Sequence, residues 1–313
     1  MSYVPEFVAL YEIIPYIRNL PLDNETIRIA VGYYLQGGKK KDVIIKKYGK
    51  IEDWNTSEVT YMSKLFCDYN NFNEDISKWD VSKVTNMESM FEHAEKFNQP
   101  IGKWDVSKVN NMKYVFYRAE SFNQPIGAWD TSKVTNMNAM FYKASDFNQP
   151  IGGWDVSNVT NMNGMFYMAS DFNKPIGGWD TSNVIYMGCM FFVATKFNQP
   201  IGEWVVSKVT NMESMFDHAE KFNQPIGKWD VSNVTNMETM FDHAEKFNQP
   251  IGKWDVSKVY NMKYMFYRAD SFNQDISKWD TSNINELCQI FDDAESFNDD
   301  DYVSYVSDSD YDE

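Results

Sequence analysis

Apolar residues recur along this chain in a pattern that repeats every 25 residues, counted here from a tryptophan as position 1. Positions 9, 12, 13 and 16 are apolar, an i, i+3, i+4, i+7 spacing that predicts one face of a short helix. Positions 10, 11, 14, 15, 17 and 18 vary and are mostly polar, as a solvated helix face is. Thr85 with Glu88, Thr210 with Glu213 and Thr235 with Glu238 have capping-box spacing at its start. Elsewhere the Asn at position 8 can serve as the cap. Positions 22 to 3 read P-I-G-x-W-D-V and predict a short extended segment with a bend near the Gly. Asp at position 2 and Ser at position 4 predict a local Asx-type turn.

The longer period is carried by Trp54, Trp79, Trp104, Trp129, Trp154, Trp179, Trp204, Trp229, Trp254 and Trp279. A fixed period in this range means a solenoid, a propeller or an array. Phe at positions 13 and 19, Ser at 4 and Asn at 20 occur in all ten repeats. The Asn column, Asn73 to Asn298, can bond from one coil to the next. A propeller is excluded, because its blades need roughly 40–45 residues and four strands. The expected fold is therefore an α/β repeat solenoid of ten 25-residue units, a short strand and a short helix in each. The expected organisation is a helical N-terminal cap over 1–53, the solenoid over 54–298 and an acidic disordered tail over 299–313.

WDVSNVTNM, then MF, then A and FNQ at fixed spacing resemble the 25-residue repeats of BspA-like leucine-rich-repeat surface proteins. Such proteins are known from mycoplasmas, other bacteria, protists and large DNA viruses. The resemblance covers about residues 51–301. It implies a leucine-rich-repeat-like right-handed coil and a role in protein binding or surface adhesion, and it brings no catalytic residues. The leader, IRIAVGYYLQ followed by KKYGKIEDWNTSEVTYM, is similar to leaders of viral and algal members.

Outside the repeats, FVALYEIIPYIRNL predicts a helix over 8–20. Asp23 or Asn24 can cap a second helix over 25–35, ended by Gly37 and Gly38, and a third is expected over 41–48. A solenoid needs its first coil covered, and these helices are expected to do so. Lys39, Lys40, Lys41, Lys46, Lys47 and Lys50 read as a solvated helix face. Residues 1–20 lack the basic start and long apolar centre of a signal peptide, and no run of about 18 apolar residues predicts a membrane span. A cytoplasmic or host-intracellular setting is expected, with virion or cell surface as the alternative.

Composition then narrows the chemistry. The net charge of −16 disfavours nucleic acid as a partner. Three Cys and three His leave little for a disulfide scaffold or a zinc cluster. Cys67, Cys189 and Cys288 occupy three different repeat positions and read as free thiols. His93, His218 and His243 all fall at position 15, beside an acid at position 14, where other repeats carry Arg118, Lys143, Met168 or Val193. This reads as a tolerated surface slot, so no metal site is expected, although His218 and His243 fall on adjacent coils. The Asp column at position 2 lacks the oxygen-rich loop of a calcium ladder. No nucleophile-elbow, P-loop, dinucleotide or metalloprotease motif occurs. No catalytic residue, metal or cofactor is expected.

The candidate site is where the copies disagree. Position 14 is acidic at Glu92, Asp217 and Asp242 but holds Tyr117, Tyr142, Tyr167 and Phe192 in four successive repeats, with Met168 and Val193 following at position 15. Stacking aligns these into an apolar, aromatic stripe of the kind that marks an interface. The expected function is a non-enzymatic scaffold for protein–protein interaction; a surface- or virion-associated adhesion protein is the alternative.

Overall fold

The computed structural model describes residues 20–284 together with Ile290 and Ala294. The helix expected over 8–20, but for its last residue, lies outside the described residues, as do Cys288 and the tail 299–313. The chain divides into two compact units, residues 1–159 and 160–313.

The first unit opens with α1 (Thr26–Gln36) and α2 (Gly38–Tyr48), followed by a single 3₁₀ turn at Ile51–Asp53. The Asp23 carboxylate accepts the N–H groups of Glu25 and Thr26 at 3.0 and 2.8 Å, which supplies acceptors that a helix start otherwise lacks. Hydrogen bonds from Thr26 hold its carboxyl below the usual carboxylate range. Gly37 and Gly38 adopt left-handed φ values of 74° and 55°, so the chain reverses within one residue and α2 begins three residues before the expected start.

These helices cover the first tryptophan. Tyr34 and Tyr48 meet Trp54 edge to face with centroids 5.7 and 6.4 Å away. The Trp54 indole N–H donates to the Gly49 carbonyl. In later repeats the indole donates to the isoleucine three residues before the preceding tryptophan, as Trp79 does to Ile51 at 2.8 Å and Trp229 to Ile201 at 3.2 Å. Asn24 makes a second substitution of this kind. Its side-chain oxygen accepts the N–H of Thr60 at 2.8 Å, whereas the N–H of Thr85, one repeat on, goes to the Thr60 carbonyl.

The described repeats contain neither the expected helix over positions 9–16 nor a strand. Positions 10–15 form a run of turns, and pairing is reduced to isolated parallel bridges at position 8, such as Asn86 with Asn111 and Asn211 with Asn236. The hydrogen bonds give the reason. N–H groups at positions 9, 11, 13 and 15 donate to carbonyls at positions 8, 10, 12 and 14 of the next repeat. In the second unit these are Met212 to Asn236, Ser214 to Glu238, Phe216 to Met240 and His218 to Asp242, at 2.7–2.9 Å. The N–H groups at positions 12, 14 and 16 bond back three residues, as Met215 does to Met212. A helix would consume every donor internally; here alternate donors join one repeat to the next. The alternation requires left-handed backbone at positions 11 and 15, which recurs at Lys64 and Asp68, Ser89 and His93, and Ser214 and His218.

The predicted apolar positions are nonetheless the core. The Phe residues at 13 and 19 stack within a repeat, 3.8 Å apart for Phe116 and Phe122, and on the next repeat, 5.7 Å for Phe91 and Phe116. Met212, Met215, Ala219 and Val209 are fully buried around Phe216 and Phe222. The Asn at position 8 accepts the position-10 N–H, as Asn211 does from Glu213 at 2.7 Å, so it closes a turn and caps no helix. The Asn198 side-chain oxygen accepts both the N–H of Asn223 and the amide of Gln224, one repeat on. At Gly202 a Cβ would lie 2.2 Å from the Pro225 carbonyl oxygen. That close approach between repeats explains glycine at position 24.

Candidate interaction surface

Positions 14 and 15 leave the run of turns at its outer end, where the backbone ladder holds equivalent residues of successive repeats in register. In the first unit Tyr117 and Tyr142 stack with centroids 4.3 Å apart and planes 9° apart. In the second unit Tyr167 and Phe192 do the same at 4.3 Å and 11°. Met168 and Val193 follow on left-handed backbone, φ 55° and 52°. All six side chains are half-buried. The rings spend their faces on each other and present their edges. Burial leads the causes that raise the Tyr117 phenol above its ordinary value.

The three histidines lie beside these rings. His93 stacks on Tyr117 at 5.6 Å. In the second unit His218 and His243 stack on each other at 4.1 Å, with tilted contacts from His218 to Phe192 at 6.2 Å and from His243 to Tyr267 at 5.5 Å. In each unit the row thus mixes imidazole with phenyl or phenol rings, and it is not purely apolar. Each histidine of the second unit is held by the acid before it: His218 Nδ1 bonds Asp217 Oδ1, and His243 Nδ1 bonds Asp242 Oδ1. Asp217 is buried, and desolvation pushes its carboxyl up to about 6 against the opposing bond from His218. His93 instead faces Asp68 at 3.8 Å.

The second unit carries one further feature that sequence reasoning missed. A groove of about 960 Å³ runs along the Pro-Ile-Gly segments, floored by Pro175, Pro200, Pro225 and Pro250 and edged by Lys228 and Lys253. Its signal was available: prolines and glycines recurring at positions 22, 24 and 25 leave a strip without long side chains.

The other candidates have structural roles. Six position-2 aspartates, from Asp80 to Asp280, have carboxyls lowered by hydrogen bonds from the Ser at position 4. Asp275, at position 22, is lowered in the same way by Ser277 and closes a similar turn onto it. Such carboxylates are committed to turns. Cys67 and Cys189 are free thiols that burial pushes up to about 12 and about 11, far from the range of a reactive thiolate. Among the lysines of α2, Lys41 lies 3.7 Å from Glu74 and over the Tyr34 ring, and Lys47 lies over Tyr48. No helix among the described residues is long and apolar enough to cross a membrane.

No curated protein matches the chain. The model of a family described as "Mycoplasma protein of unknown function, DUF285" matches it three times in overlapping register, over residues 40–149, 124–226 and 201–305. Those matches span nearly all of the Trp-marked repeats, and the regular aromatic periodicity of the structure accords with a repeat family. The chain therefore belongs to the DUF285 family of repeat proteins.

Proposed function

We propose that this protein is a non-enzymatic scaffold of BspA-like, leucine-rich-repeat-like solenoid type that binds another protein through the aromatic rows at positions 14 and 15 of its two units. The observation that carries this reading is the stacked, half-buried series Tyr117–Tyr142 in one unit and Tyr167–Phe192 in the other. Edge-presenting aromatics lose little conformational entropy on binding and are enriched at interfaces. They also stand at positions that vary from repeat to repeat while the core positions are kept.

The test is affinity capture with Tyr142→Asp plus Phe192→Asp. Glu92 and Asp242 already occupy position 14, so the fold accepts an acid there. The expected result is loss of the partner, or of self-association in light scattering, with an unchanged melting temperature. Retained binding overturns the assignment of the rows.

A second reading is favoured by the groove: an extended peptide segment lies along its prolines. Gly178 lines the groove, and a Cβ there meets nothing within 4 Å. Gly178→Arg therefore blocks the groove without disturbing the backbone. Binding lost in this variant and kept in the Tyr142 and Phe192 variant selects the groove.

A further inference from the structure

His218, Asp242 and His243 come from two successive repeats, yet one candidate ligand atom from each lies within 4.8 Å of the other two. The backbone sets this juxtaposition, because the His218 N–H donates to the Asp242 carbonyl at 2.7 Å. The two imidazoles lie 4.1 Å apart with planes 16° apart. Each Nδ1 bonds the carboxylate of the preceding residue, Asp217 or Asp242. Asp217, outside the set, fixes the His218 tautomer and makes its other ring nitrogen a better metal donor, whereas Asp242 exchanges its bond to His243 for the ion. Asp242 has a second oxygen to offer. The group is half-buried, which leaves a path for an ion and limits the water competing for it.

We propose that these three residues bind a divalent transition-metal ion that ties the two repeats together. Imidazole and carboxylate donors suit zinc, copper and nickel and disfavour calcium and magnesium. Bonds of about 2.0–2.2 Å place the donors of a tetrahedral zinc shell about 3.4 Å apart, so rotation of the two imidazoles and the Asp242 carboxylate contracts the present set into a coordination shell. Water supplies the fourth ligand. His93 offers no such set: the neighbouring position-15 residues are Asp68 and Arg118.

The experiment is titration of the full chain with Zn²⁺ in a non-chelating buffer, read by calorimetry and by melting temperature. The expected result is one saturable equivalent per chain and a melting temperature that rises with zinc. His218→Arg plus His243→Arg removes this site. Arg118 and Arg268 already occupy position 15 on the same left-handed backbone, φ 57° and 51°, so the backbone accepts the substitutions, and the zinc response is read against the variant's own zinc-free melting temperature. Asp242→Asn weakens binding by roughly 10–100-fold, and His93→Arg leaves it unchanged. X-ray absorption of the loaded wild type shows two imidazole ligands. Absence of a stoichiometric zinc site in the wild type overturns the proposal, as does equal zinc uptake by the paired arginine variant.

Discussion

Val193 has a β-branched side chain on left-handed backbone, φ 52°, and its N–H donates to the Asp217 carbonyl at 2.7 Å. Such a conformation costs an ordinary residue roughly 1–2 kcal/mol and suits valine worst of all. The bond to the next repeat holds it there. Asparagine tolerates this region, so Val193→Asn is expected to stabilise the protein by about 1 kcal/mol in chemical denaturation. A destabilised variant would show that the valine side chain matters more than the strain. The same backbone explains what the sequence concealed at this scale. Left-handed positions usually announce themselves with glycine, but among the described repeats only Gly164 does so. Residues as varied as lysine, serine, tyrosine, histidine, arginine, methionine and valine occupy the others, so positions 11 and 15 read as ordinary surface sites.

At the scale of the repeat, the apolar spacing identified the right core for the wrong element. Positions 9, 12, 13 and 16 line one side of a helix, but they also line one side of successive turns bonded over three residues. Periodicity sees which residues are buried and not where their N–H groups go. The aromatic ladder follows directly from those donors. Phe216 is fully buried between Phe191 and Phe241, 5.6 and 5.7 Å away, and against Phe222 at 4.0 Å. Phe216→Ala is expected to cost about 3–5 kcal/mol, measured as a shift of the denaturation midpoint. A loss below about 1 kcal/mol would mean that the ladder is not continuous through this repeat. Stripe and histidines were legible as separate features for a related reason. Positions 14 and 15 are neighbours in sequence and were read as two columns, whereas the turn brings His218 into line with Phe192.

At the scale of the whole molecule, the period of 25 and the acidic balance were legible at once, because ten copies average away local ambiguity. The groove was not, since prolines and glycines signal bends more readily than the surface left between them. The charge has a consequence for stability. Asp105, Asp130 and Asp180 have carboxyls lowered in the folded state by bonds from Ser107, Ser132 and Ser182. A lowered folded pKa gives stability that is present above the unfolded value near 3.9 and lost as pH falls through the folded value. The melting temperature is therefore expected to drop between pH 5 and pH 3, and to drop less in the triple Asp→Asn variant of these positions. An identical drop in both proteins would assign acid sensitivity elsewhere.

The stacked rings, the candidate metal ligands and the core all depend on one claim, that alternate backbone donors join one repeat to the next. Scalar coupling across hydrogen bonds in a deuterated sample tests it directly at Phe216. The structure pairs its N–H with the Met240 carbonyl at 2.9 Å, whereas a helix would pair it with Met212, four residues back. A coupling from the Phe216 nitrogen to the Met240 carbonyl carbon is the predicted result. A coupling to Met212 instead would contradict the account.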